Sequence, residues 1–115
     1  MSGLDELRDE LRKFAAARDW DQFHSPKNLS MALSAEAAEL LEVFQWLTEE
    51  QSRNLQPDAK AAAAEEIADV LLYLIRIGDQ LGIDPLAAAQ RKLAANEKKY
   101  PAEKARGNAK KYTEL

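Results

Sequence analysis

The chain has 115 residues, 46% of them hydrophobic, no cysteine and a formal net charge of −4. That length allows one domain with a modest core, here taken as residues 1–115 with a tail from about 102. The missing thiols exclude a disulfide framework and a thiolate zinc site, and the acidic balance argues against duplex nucleic acid as a partner. No apolar run approaches the roughly 20 residues of a membrane span, and the opening MSGLDELRDE lacks a signal-peptide core. The expectation is therefore a cytoplasmic chain with no membrane partner.

Alanine makes up much of the apolar content and favours helix. The first helix is expected over about 4–18, where Leu4, Leu7, Leu11 and Phe14 recur at helical spacing behind a weak Ser2/Asp5 capping signal. Asp19–Asn28 breaks the pattern and reads as a loop carrying Trp20, Phe23 and His24, the only histidine. Ser25-Pro26 supplies an N-cap and first-turn proline for a second helix over about 26–48. The polar stretch EEQSRNLQP at 49–57 is the expected turn. Pro57 opens a third helix to Leu81, which Gly82 stops. Asp84-Pro85 opens a fourth to about Lys99, ended by Tyr100-Pro101, and the rest shows little periodicity.

Two acidic pairs stand in this frame. Glu36-x-x-Glu39 lies in the second helix and Glu66-x-x-Asp69 in the third, each pair one turn apart on one face. They are mirror-placed about residue 52 or 53, so a hairpin there brings all four carboxylates to the same height. Like charges that close raise each other's pKa or demand a cation. Oxygen-only ligands suit a hard divalent ion, Mg²⁺ before Zn²⁺. Glu42 and Glu65 point away from the pairs and read as neighbouring or solvent groups. A di-iron carboxylate bundle would need Glu-x-x-His motifs on helices, and His24 is in a loop. Asp69 also interrupts an apolar run of Ile67, Val70, Leu71, Leu72, Leu74, Ile75 and Ile77. A helix apolar on every side is buried on every side, which three further short helices cannot achieve, so a homo-oligomer is expected.

Further along, Arg91, Lys92, Lys98, Lys99, Lys104, Arg106, Lys110 and Lys111 stand against only Glu97 and Glu103. A cationic C-terminal end beside an acidic centre suits a small ligand that carries phosphate and metal. Lys92, Asn96 and Lys99 share one face of the fourth helix, whereas Arg91 and Lys98 point elsewhere.

These motifs resemble those of the all-α nucleoside triphosphate pyrophosphohydrolases of the MazG type. The resemblance rests on the acidic pairs in EAAELLEVFQW (36–46) and EEIADVLLYL (65–74), on Lys92-x-x-x-Asn96-x-x-Lys99-Tyr100-Pro101, and on the closing Lys111-Tyr112-Thr113-Glu114. It is strongest to the dCTP pyrophosphatase branch. It implies an all-α, four-helix MazG-like bundle with an antiparallel hairpin of helices two and three, assembled as a homotetramer in preference to a dimer. It also implies cleavage of a nucleoside triphosphate to monophosphate and pyrophosphate, with Mg²⁺ (or Mn²⁺ as a substitute) held by Glu36, Glu39, Glu66 and Asp69. Glu39 and Glu36 are the expected catalytic carboxylates, with Glu39 orienting water. Lys92, Asn96 and Lys99 would contact phosphate and sugar, and Trp20, His24, Trp46 and Tyr73, with Phe23 as a further aromatic, would form the base pocket. Lys111 and Tyr112 could close a neighbouring site. The rival outside the enzyme class is a non-catalytic helical interaction module, and within it a different or broad nucleotide preference.

Overall fold

Prolines and short polar side chains set where the helices of this chain begin. The computed structural model describes residues 3–115, so the Ser2 cap lies outside the described residues. Helices run over α1 Gly3–Ala17, α2 Pro26–Phe44, α3 Glu49–Arg53, α4 Pro57–Leu81, α5 Pro85–Lys99 and α6 Ala102–Ala105, with 3₁₀ turns at Asp21–Phe23 and Tyr112–Glu114. No strand occurs among the described residues.

Pro26, Pro57 and Pro85 each occupy the first turn of a helix, where a missing N–H costs nothing. Ser25 Oγ accepts from the Asn28 N–H at 3.1 Å, and Asp84 Oδ1 accepts from the N–H groups of Leu86 and Ala87. Gly82 takes the left-handed conformation at φ 68° and closes α4. Its N–H donates to Asp79 O while the Ile83 N–H reaches back to Gly78 O at 2.8 Å. A matching turn ends α1 with Asp19 in the left-handed position at φ 54°, a conformation aspartate tolerates better than most residues. There the Trp20 N–H donates to Ala15 O at 2.9 Å, which turns the loop back towards the helix it has just left.

Two boundaries differ from expectation. The second helix stops at Phe44 rather than 48, and the polar link holds a short helix of its own, α3. Thr48 and Gln51 form a reciprocal capping box, the Gln51 N–H donating to Thr48 Oγ1 at 3.1 Å and the Thr48 N–H to Gln51 Oε1 at 2.9 Å. Once Thr48 caps a new helix, α2 cannot run through it. The tail likewise carries α6 and a final 3₁₀ turn.

By its contacts the chain falls into two compact units, one ending at Ile83 and one spanning Asp84–Leu115. In the first, α4 packs most extensively on α2, and α1 packs on α4. Few side chains are buried here: Ala15, Leu29, Ala63 and Ile75, with Arg76. On α4, Ile67, Leu71, Leu74 and Leu81 remain 39–56% exposed, so in the single chain this helix is not covered all round. In the second unit, Tyr112 folds back on the end of α5, its ring 6.1 Å from Tyr100 and 4.9 Å from the Lys99 ammonium.

Ile75, 2% exposed, is the largest fully buried side chain. Ile75→Ala is expected to cost about 2–5 kcal/mol in urea unfolding. Leu93→Ala, at a site 63% exposed, should cost under about 0.5 kcal/mol.

Candidate metal and nucleotide site

The i, i+3 spacing on α2 and α4 does what it was expected to do for three of the four carboxylates. Oxygens of Glu36, Glu39 and Glu66 all lie within 4.8 Å of one another. Asp69 is not part of that triad, although its charge acts on both Glu36 and Glu66. Glu36 Oε2 and Glu66 Oε2 are sealed from solvent without a hydrogen-bond partner, while Glu39 is exposed. Glu42 and Glu65 are exposed too. Among the described residues no lysine or arginine pairs with any member of the triad.

Such an arrangement is costly for bare carboxylates. Glu36 is pushed up to about 7. The close carboxylates of Glu66 and Glu39, which favour a proton on Glu36, are the main cause, followed by desolvation and the charges of Glu39 and Asp69. Glu66 is also raised: its contact with Glu36 pulls it down, but desolvation and the Glu39 and Asp69 charges outweigh that pull. A divalent cation would relieve the same repulsion. Carboxylate oxygens gathered within 4.8 Å of one another are the donor type a hard divalent ion takes, and Glu36, Glu39 and Glu66 could hold one. Two orphaned, sealed oxygens and an all-carboxylate donor set therefore fit a hard divalent ion.

Beside the triad, and within the same unit, lies a cavity of about 220 Å³ lined by Leu11, Phe14, Ala15, Trp20, His24, Leu29, Asp69, Leu72, Tyr73 and Arg76. Asp69 is the residue common to cavity and carboxylates. The left-handed turn at Asp19 puts the Trp20 ring edge-on to Phe14 at 5.6 Å and 6.2 Å from His24. Three of the expected base-pocket residues, Trp20, His24 and Tyr73, thus share one wall system. Trp46 does not line the cavity and stands 87% exposed just past the end of α2, and Phe23 is 58% exposed outside it. Lys92, Asn96 and Lys99 lie in the second unit on one face of α5, with Asn96 half-buried and both lysines exposed.

Sequence reasoning missed Arg76, which is 5% exposed. It donates to Asp21 and to His24 Nδ1, and it sits 3.5 Å from Asp79, which Arg12 grips with two hydrogen bonds. The available signal was its position as the sole charged residue between Asp69 and Asp79 in an apolar helix. The Arg12 guanidinium holds the Asp79 carboxyl below its usual range despite burial.

Comparisons with known proteins place the chain in a family. A family model described as MazG-like matches residues 31–115. Human dCTP pyrophosphatase 1 is 42% identical over 114 residues, covering 97% of this chain and 67% of the relative. The same protein of Rattus norvegicus is 41% identical over equal coverage. Among solved structures, a pyrophosphatase from Archaeoglobus fulgidus superposes with a TM-score of 0.81 at 43% identity, covering 88% of this chain and 94% of that one. The chain belongs to the MazG-like family and is a nucleotide pyrophosphohydrolase.

Without metal, Glu36 keeps its proton to about pH 7 when folded, against an ordinary value of 4.5. The folded state then binds more protons than the unfolded one between those values. Stabilisation present below 4.5 is lost as pH rises through about 7. The melting temperature in EDTA should fall across that window, and Glu36→Gln or excess divalent cation should flatten the fall.

Proposed function

We propose that this protein hydrolyses a deoxynucleoside triphosphate, dCTP or a modified dCTP first, to the monophosphate and pyrophosphate, in cleaning of the nucleotide pool. The observation that carries the reading is the pair of sealed, unpartnered oxygens on Glu36 and Glu66 beside an aromatic-walled cavity. At about 220 Å³ the cavity is smaller than the roughly 300 Å³ and more of a drug-sized pocket, so it suits one ring and leaves the phosphates outside. Trp20, Phe14 and Tyr73 offer stacking surfaces, and His24 an edge contact.

Glu36, Glu39, Glu66 and Asp69 would hold Mg²⁺, with Mn²⁺ as a possible substitute. The ion, when bound, neutralises phosphate charge and lowers the pKa of water. Glu39 is the exposed member of the triad, which leaves it in touch with solvent and suits it to orient the attacking water, with Glu36 as the second catalytic carboxylate. Lys92, Asn96 and Lys99 on one face of α5 supply donors for phosphate and sugar. No histidine or cysteine nucleophile accompanies the carboxylates, which favours direct attack by water over a covalent intermediate.

The apolar stripe Ile67, Leu71, Leu74 and Leu81 recurs at steps of three, four and seven along α4, the spacing of a helix–helix seam. A second copy of the chain covers such a stripe most simply, and a homotetramer is preferred to a dimer. Trp46, exposed here, would then meet a neighbouring copy, as would Lys111. Leu71→Glu with Leu74→Glu should lower the mass measured by light scattering. An unchanged mass would place the assembly elsewhere.

A turnover panel of the eight canonical nucleotides and 5-methyl-dCTP, with Mg²⁺ or EDTA, tests the reaction. Magnesium-dependent monophosphate and pyrophosphate from dCTP are expected. Glu66→Ala/Asp69→Ala should lose about a hundredfold or more in rate, since metal charge stabilisation is worth several kcal/mol. It should also lose the thermal stabilisation by Mg²⁺. Turnover of another nucleotide alone would overturn the substrate, and no turnover at all would favour a non-catalytic module.

A further inference from the structure

Arg76 is the charged residue of the core, and the hydrolysis described above does not use it. A guanidinium at 5% exposure needs its fork partnered on every side. Two sides are met by charge: one terminal nitrogen donates to Asp21, and the other lies 3.5 Å from Asp79. Asp79 is itself braced from α1 by Arg12, whose Nε donates to it at 2.7 Å. The third side is different. Arg76 Nε donates to His24 Nδ1 at 3.1 Å, and a neutral imidazole does nothing to balance the charge.

What that contact does is choose the form of the imidazole. Arginine has donors only and stays protonated, so the nitrogen it touches must offer a lone pair. The ring proton of His24 is therefore on Nε2. Burial first, then the Arg76 charge, hold His24 below its ordinary value against the opposite pull of Asp21, which keeps the ring neutral. Nε2 has no partner among the described residues, and His24 is on the cavity wall.

We infer that Arg76 is a positioning residue for ligand selection: by occupying His24 Nδ1 it makes the ring nitrogen left for a ligand a hydrogen-bond donor, and so favours a base that presents an acceptor there. This rests on the reading that the cavity holds the base. Cytosine carries adjacent acceptors, O2 and N3, on its pairing edge. O2 is common to all pyrimidines, so the inference assigns ring position three to Nε2: uracil and thymine carry an N–H there, and a donor facing a donor leaves two N–H groups unpaired in a desolvated place. Mismatches of that kind discriminate more strongly than a lost apolar contact.

His24 is the single histidine, so a nitrogen-15 imidazole label reports it without assignment. A long-range proton–nitrogen spectrum of the wild-type chain at about pH 8, above the ordinary histidine range, should show an unprotonated Nδ1 and a protonated Nε2. A protonated Nδ1 would overturn the inference, and this measurement needs no variant to fold. In Arg76→Met the two nitrogen signals should move towards tautomer averaging. The kcat/KM preference for dCTP over dUTP should fall about tenfold, the worth of one hydrogen bond, mainly through KM. Arg76→Lys, which restores a donor, should recover part of both. An unchanged preference in both variants, with wild-type turnover intact, overturns the inference alone. Absence of turnover of any nucleotide by the wild-type chain overturns it together with the function on which it rests.

Discussion

Everything in the first unit is arranged around a repulsion. Glu36, Glu39 and Glu66 are brought within 4.8 Å by the packing of α2 on α4, and two of their oxygens are sealed off without a partner. On α4 the residue one turn before Glu66 is the small, buried Ala63. Apolar packing of Leu29 and Ile75 holds the hairpin against the charge. The metal-free site therefore keeps a proton on Glu36 up to about 7, and a divalent ion removes the need for it.

The cavity is tied to the carboxylates by one helix face. Asp69, Tyr73 and Arg76 follow at i, i+4 and i+7 along α4, so the wall passes from an anion through an aromatic to a buried cation within about two turns. The other wall comes from α1 and its closing turn, where Asp19 accepts a left-handed backbone and Trp20 swings against Phe14. The Arg12–Asp79–Arg76 chain of ion pairs fastens α1 to α4 at this wall, and its strength comes from shared, partly desolvated partners rather than from any single exposed pair.

Among the described residues only a few side chains are buried, while large apolar ones, Trp46 at 87% and Leu41 at 60% among them, face outwards. Scattered exposed leucines need no explanation, but a regular stripe along one helix does. The expectation that α4 would be buried all round came from its composition, and composition cannot say which neighbour does the covering.

The local grammar of the chain was legible without coordinates. Pro57 and Gly82 delimit α4, Asp84 and Tyr100 delimit α5, and the acidic pairs announce their own juxtaposition, because caps and i, i+3 spacing act within a few residues of chain. The Thr48–Gln51 capping box is equally local: it straddles the expected end of the second helix at 48 and the polar stretch from 49. Tertiary structure decided the rest. That Asp69 lies on the cavity wall and is not a member of the triad depends on how two helices cross. The pairing of Arg76 with His24 joins residues 52 apart in sequence, through a loop whose path no periodicity encodes. Spacing along a helix is a property of the chain, whereas the partner of a buried charge is set by the packing of the elements that bury it.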